Sequence, residues 1–169
     1  MPTLAEDRRY LEAALAELKN YLLSDVLFYP LTAPMPRLTI GGMLLAQRRL
    51  HAQKSASPLD FELDTLRTKW RAAWEKKSAK ELDARLTLWR NYLNDYRNDE
   101  NQADHYRHEV RWRVMSELLL DEISQGSAEL VGLDQLLRAK FQSGEFIWND
   151  TLKSEFPQDK FWFLYGKLE

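Results

Sequence analysis

The chain offers three imidazoles, His51, His105 and His108. His105 and His108 are three apart, so on a helix they share a face. Asp104 and Glu109 extend the set, since Asp104 to His108 and His105 to Glu109 are each four residues apart. Imidazole and carboxylate at these spacings can chelate a divalent ion, with His51 supplied by another helix. One reading of function follows: a metal-dependent helical-bundle enzyme using His51, His105, His108 and Glu109. No His-Glu-x-x-His motif extends the pattern. The stretch from Asp99 to His108 is also so polar that an exposed helix start accounts for it.

A second group is the acidic cluster Asp60, Glu62 and Asp64. It follows Ser57-Pro58, a capping residue and a first-turn proline, so helix-dipole stabilisation explains the acids without catalysis. A third is the loop from Pro30 to Gly42, which holds Pro30, Pro34 and Pro36 and ends in Gly41-Gly42. Amides at a helix start beside two glycines can hold an anion, and Arg37, Arg48 and Arg49 can supply charge-assisted bonds to it. The plainer alternative is a proline-stiffened crossing whose glycines permit close packing. A fourth group is aromatic. Eight of the 20 aromatic residues lie between Phe141 and Tyr165. Such density implies burial or a docking surface, with Trp162 and Tyr165 as candidate anchors.

Other chemistry is excluded by composition or pattern. With no cysteine, there is no disulfide, thiolate metal ligand or cysteine nucleophile. No Gly-x-Ser-x-Gly elbow, P-loop or dinucleotide fingerprint occurs, so no cofactor is expected.

The elements that would position these groups read as helices. Thr3 and Glu6 have capping-box spacing, and Leu4, Leu11, Leu15, Leu18 and Leu22 repeat with helical period to about Asp25 or Phe28. After the proline loop, a second helix is expected from Met43 to about Lys54. A third follows Ser57-Pro58 with Leu59, Leu63, Leu66, Trp70 and Ala73 on one stripe. A turn near Lys76 to Ser78 precedes a fourth, started by a second capping-box pair, Ser78 and Glu81. Its inward seam is Leu82, Leu86, Trp89, Leu93 and Tyr96. A fifth helix is expected from Gln102 to Ser124, with Val110, Val114, Met115, Leu118, Leu119 and Ile123 inward. Gly126, Gly132, Gly144 and Pro157 cut the remainder into short pieces, including a helix from Leu133 to Gln142. Phe156 to Leu168 is too short an apolar run to show a period, so both helix and extended chain stay open there. The dipeptides Trp70-Arg71, Trp89-Arg90 and Trp112-Arg113 read as amphipathic helices with Trp inward and Arg outward.

Charge is uneven along 169 residues of net charge −2. Residues 67–113 hold 12 bases against 8 acids, and residues 114–169 hold 5 against 10. The middle can attract an anionic partner, though it falls short of the basic face expected of a nucleic-acid binder.

The expected fold is all-α: an antiparallel bundle of four to five helices over residues 1–124, with an aromatic, short-helix extension over 125–169, forming one domain. The leading expectation for function is a non-enzymatic protein-binding or scaffold protein using Arg37, Arg48, Arg49, Trp162 and Tyr165. The metal enzyme is the first alternative, and weak nucleic-acid binding through 67–113 the second. The N-terminus lacks a signal-peptide core and no apolar run spans a bilayer, so the expected location is cytoplasmic, with a protein partner, no membrane, and homodimerisation left open.

Overall fold

The computed structural model describes residues 1–55 and 57–169, the Ser57 side chain excepted. The capping role read for Ser57 lies outside the described residues. Helices take up 68% of the chain and a small two-stranded sheet lies near its end. Among the described residues no helix is long and apolar enough to cross a membrane. Two compact units are present, Met1–Glu81 and Leu82–Glu169.

In the first unit, α1 (Leu4–Leu23) packs against α2 (Ile40–Ala52) and α3 (Ser57–Lys69). The expected capping box starts α1: Thr3 Oγ1 accepts the Glu6 amide and the Glu6 carboxylate accepts the Thr3 amide. Tyr10, Leu11, Ala14, Leu15, Leu18 and Leu22 form its buried stripe. Helix α2 starts earlier than expected, at Ile40, because Thr39 Oγ1 accepts the Gly42 amide as an N-cap. Gly41-Gly42 is therefore part of the first turn and does not precede it. A Cβ on Gly42 would lie 2.7 Å from the Tyr10 hydroxyl oxygen, so this glycine permits the approach of α1.

The turn expected near Lys76 to Ser78 is absent. The break comes at Trp70, after which α4 runs from Arg71 to Asn98, beginning in the first unit and continuing into the second. Ser78 and Glu81 do not cap it; both are fully buried within the helix. Instead, both Glu81 carboxylate oxygens accept the Gly41 amide at 3.0 Å. A carboxylate on the first turn of α2 is favoured by the aligned peptide dipoles. Beside it, the Ser78 hydroxyl and the Trp74 indole N–H are buried without a hydrogen-bond partner among the described residues. Ser78→Ala removes an unsatisfied hydroxyl and adds a better helix former, so it is expected to stabilise the chain by about 0.5–2 kcal/mol in urea unfolding. A clear loss of stability would show that the hydroxyl is engaged.

In the second unit the expected seam of α4 is buried throughout: Leu82, Leu86, Trp89, Leu93 and Tyr96. The expected fifth helix is interrupted. Asp99 accepts the Asn101 amide and starts a 3₁₀ turn over Glu100–His105, followed by α5 (Tyr106–Glu109) and α6 (Arg111–Leu120). Of the residues expected inward, Val110, Val114, Met115, Leu118 and Leu119 are buried, while Ile123 lies past the end of α6 and is half-buried. Helix α7 (Ala128–Arg138) starts earlier than Leu133 because Ser127 Oγ accepts the Leu130 amide.

The chain is mostly helical, as expected, and a small two-stranded sheet is added at the C-terminus. Strands β1 (Phe141–Phe146) and β2 (Tyr165–Leu168) pair antiparallel, with Phe141 opposite Leu168 and Phe146 opposite Tyr165. The register slips between Ser143 and Phe146, a bulge that includes Gly144. The connection is built from 3₁₀ turns rather than α-helix. Edge-to-face rings fill it: Phe156 meets Phe161 at 5.1 Å, and Phe161 meets Phe163 at 5.9 Å. The Tyr106 hydroxyl donates to the Phe163 carbonyl and the Tyr165 hydroxyl to the Phe156 carbonyl. Side-chain donors thus occupy backbone acceptors that a helix would have used internally.

Candidate functional site

The histidines serve in separate local arrangements. His51 Nε2 sits 2.8 and 2.7 Å from the two Asp60 carboxylate oxygens, and Gln47 donates to Asp60 at 2.7 Å. These contacts tie the end of α2 to the start of α3. His105 Nδ1 faces the Gln102 side chain at 3.1 Å. Glu109 accepts the Trp112 indole N–H at 3.0 Å. His108 titrates below the usual histidine range, first because of partial burial and then because Arg111 lies beside it. Among the described residues no three His, Cys, Asp or Glu side chains form a group that could hold a metal ion.

The three arginines of the proline loop reading also part company. Arg49 is nearly buried and grips Asp7 through two bonds of 2.9 and 2.8 Å, joining α2 to α1. Arg48 is half-buried and engaged in its own interactions. Arg37 is exposed and donates to the Phe28 carbonyl at 3.3 Å, while its own carbonyl accepts the Tyr10 hydroxyl. A backbone bridge between Tyr29 and Leu38 closes the loop between them. Of the two aromatic candidates, Tyr165 is buried against Phe146. Trp162 is half-buried, wedged between Phe141 and Phe163, with the Arg138 guanidinium 3.7 Å above its ring.

The surface with the most distinctive electrostatics lies elsewhere, in the first unit, where the last turns of α1 meet the start of α4. Trp70 is half-buried, and its ring carries two ammonium groups: Lys19 of α1 at 5.6 Å and Lys69 at 5.8 Å. Leu23 lies one turn beyond Lys19 on the same face of α1 and is 59% exposed; Val26, just past the helix, is 44% exposed. Two turns along from Trp70, the buried Lys77 donates to the Ser24 and Val26 carbonyls at 2.7 and 2.8 Å and covers the Tyr21 ring at 4.6 Å. Burial, then the like charge of Lys80, pulls the Lys77 pKa down; Asp25 acts against this and Lys76 with it.

Neighbouring cations in this unit are neutralised. Arg67 pairs with Asp64, and Arg71 with Glu75 at 2.8 Å. Lys19, Lys69, Lys76 and Lys80 are exposed, and among the described residues none has a carboxylate within ion-pair distance. The first unit as a whole holds 13 bases against 10 acids, the second 11 against 16. Sequence reasoning assigned Trp70 to a buried stripe and overlooked this surface. The signal was present in Lys69-Trp70-Arg71 and in Lys76, Lys77 and Lys80, all within the basic middle of the chain.

In the second unit the Trp-Arg reading reverses. Trp112 is half-buried near the surface and Arg113 points inward, 4% exposed. Arg113 bonds both Asp134 oxygens at 2.8 and 2.9 Å and Glu117 at 2.8 Å, with its guanidinium 4.2 Å from the Phe163 ring centre.

Comparison with known proteins finds no matching family model, curated protein or solved structure.

Proposed function

We propose that the chain is a non-enzymatic protein-binding module, and that its docking surface is the Lys19–Trp70–Lys80 face of the first unit. The observation that carries this reading is the set of exposed lysines without carboxylate partners around a half-buried tryptophan and the exposed Leu23 and Val26. Like charges held together raise the local potential, and an anion that docks there lowers it. The apolar residues among them favour an anion that also brings hydrophobic side chains. The partner is therefore an acidic protein segment carrying aliphatic or aromatic anchors, which would bury Leu23, Val26 and the open part of Trp70.

The test is fluorescence anisotropy of the full chain with a labelled peptide rich in Glu and Leu, run beside a labelled oligothymidylate. The peptide is expected to bind with an affinity that falls as salt rises. The variants Lys19→Glu with Lys69→Glu, and Lys76→Glu with Lys80→Glu, are expected to weaken it by roughly tenfold or more each, since four unit charges change across each pair. Unaltered binding in both variants, with circular dichroism confirming the fold, would discard this surface. A tighter, steeply salt-dependent association with the oligothymidylate would replace the protein partner by single-stranded nucleic acid.

A further inference from the structure

Helix α3 buries little of itself. From Pro58 to Lys69, Leu63 is the only fully buried side chain. The outer face carries Phe61, which is 76% exposed, more than any other large apolar side chain among the described residues. A lone exposed apolar side chain is ordinary, but the charges beside this one form a pattern. Phe61, Thr65 and Thr68 follow at intervals of four and three residues, so they line one side of the outer face, with Pro58 a turn before Phe61. Glu62 and Lys69 are seven apart, so they stand two turns from each other along the opposite side. Both are exposed, and among the described residues neither forms an ion pair. The other charges of the helix are occupied: Asp60 by His51 and Gln47, and Asp64 by Arg67.

We infer that the outer face of α3 is a homodimer interface, across which a second copy of the chain lays its own α3 antiparallel. A two-fold axis passing between Thr65 and Leu66 brings Glu62 of each copy level with Lys69 of the other, on the same side of the interface. Phe61 of each copy comes level with Thr68 of the other, and the two Thr65 side chains meet near the axis. A two-fold makes every contact twice, so it requires a surface that complements itself, and this one does. A parallel arrangement would set Glu62 against Glu62 and Lys69 against Lys69; like charges exclude it, and the helix dipoles also favour the antiparallel one. A partner of a single charge sign would satisfy Glu62 or Lys69, whereas a second copy satisfies both. The Phe61 ring leaves water for the threonine methyl groups opposite, which supplies the apolar part of the driving force. One short helix from each copy makes a small interface, so the dimer belongs to the weak, concentration-dependent class.

The test is sedimentation velocity of the full chain over a concentration series, which is expected to show a reversible equilibrium between monomer and dimer. Phe61→Ser and Glu62→Lys are each expected to weaken self-association by roughly tenfold or more. Both positions are exposed, so circular dichroism should show an unchanged fold. The decisive arm mixes Glu62→Lys with Lys69→Glu. Each variant on its own sets like charges together, but in the mixture both positions again meet an opposite charge, and association is expected to return to about the parent level. Lys69 also stands beside Trp70, so Lys69→Glu alone reports on two surfaces; Glu62→Lys and the mixture report on α3, independently of whether the acidic peptide binds. The inference is overturned if the parent stays monomeric up to its solubility limit, if Phe61→Ser and Glu62→Lys associate like the parent, or if mixing restores nothing. Species that grow beyond the dimer with concentration would show an open head-to-tail contact and overturn the two-fold.

Discussion

Replacing Arg113 with alanine is expected to destabilise the chain by about 3–5 kcal/mol, the loss seen when one partner of a buried ion pair is removed. Arg113 is 4% exposed and has three charge-assisted bonds within its reach. Burial by itself would lower the pKa of this guanidinium, yet it stands above the usual arginine value because the Asp134 and Glu117 carboxylates outweigh the desolvation. Without the guanidinium, Asp134 and Glu117 confront each other with no cation between them, and the Phe163 ring loses the group above it. Urea unfolding followed by circular dichroism measures the difference. Arg113→Met, which restores most of the volume but not the charge, is expected to recover only a minor part of it. Parent-like stability of both variants would mean that the Asp134 and Glu117 contacts are dispensable.

Gly166→Ala is the second large effect. Gly166 stands opposite Ser143 in the β1–β2 pair with φ of +153°, and a Cβ there would come within 2.1 Å of the Gln142 carbonyl oxygen and 2.5 Å of the Phe141 ring. Neither neighbour has an easy retreat: the carbonyl is part of the strand, and the Phe141 ring packs against Trp162 and Tyr106. Backbone strain and overpacking together set a cost of roughly 2–4 kcal/mol. A chain of this size loses about 2–4 °C of melting temperature per kcal/mol, so calorimetry should show a substantial drop. Gly144→Ala is the control, because a Cβ there meets only the Gly166 Cα at an ordinary 3.8 Å. Equal effects of the two substitutions would mean that the close approach at Gly166 is not what makes glycine necessary.

Much of the helical content was legible residue by residue. The α1 start is a local event: Thr3 and Glu6 satisfy each other's amides across one turn, and no other part of the chain is needed. The α4 seam from Leu82 to Tyr96 was likewise readable, because a period of 3.6 residues on an amphipathic helix leaves a direct trace in the order of residues. The C-terminal strands left no such trace. Phe156 to Leu168 is apolar in too short a run to show a period, and the chain becomes extended at β2 through pairing with β1 more than a dozen residues earlier.

The misreadings share a cause. Ser78 and Glu81 have the spacing of a cap, but the same spacing serves a helix interior, and Glu81 is used by an amide forty residues away at Gly41. Gly41-Gly42 reads as punctuation until Tyr10 is placed against it. Trp112-Arg113 reads as apolar inward and charged outward, and Asp134 and Glu117 invert it by making a buried home for the guanidinium. Arg49, a candidate for an anion, has Asp7 as its partner in α1. The charge-rich stretch from Lys69 to Lys80 was visible as composition, whereas its surface depends on which lysines find carboxylates and which do not.

The order of residues by itself determined where α1 begins, which face of α4 is buried from Leu82 to Tyr96, and that the chain is mostly helical, because capping and helical periodicity act over a few residues. Only the tertiary structure decided the strand pairing, the partners of Glu81, Arg49 and Arg113, and which lysines around Trp70 lack a carboxylate partner among the described residues. Those outcomes depend on groups distant in the chain meeting in space, where burial sets the strength of each charge and each polar bond.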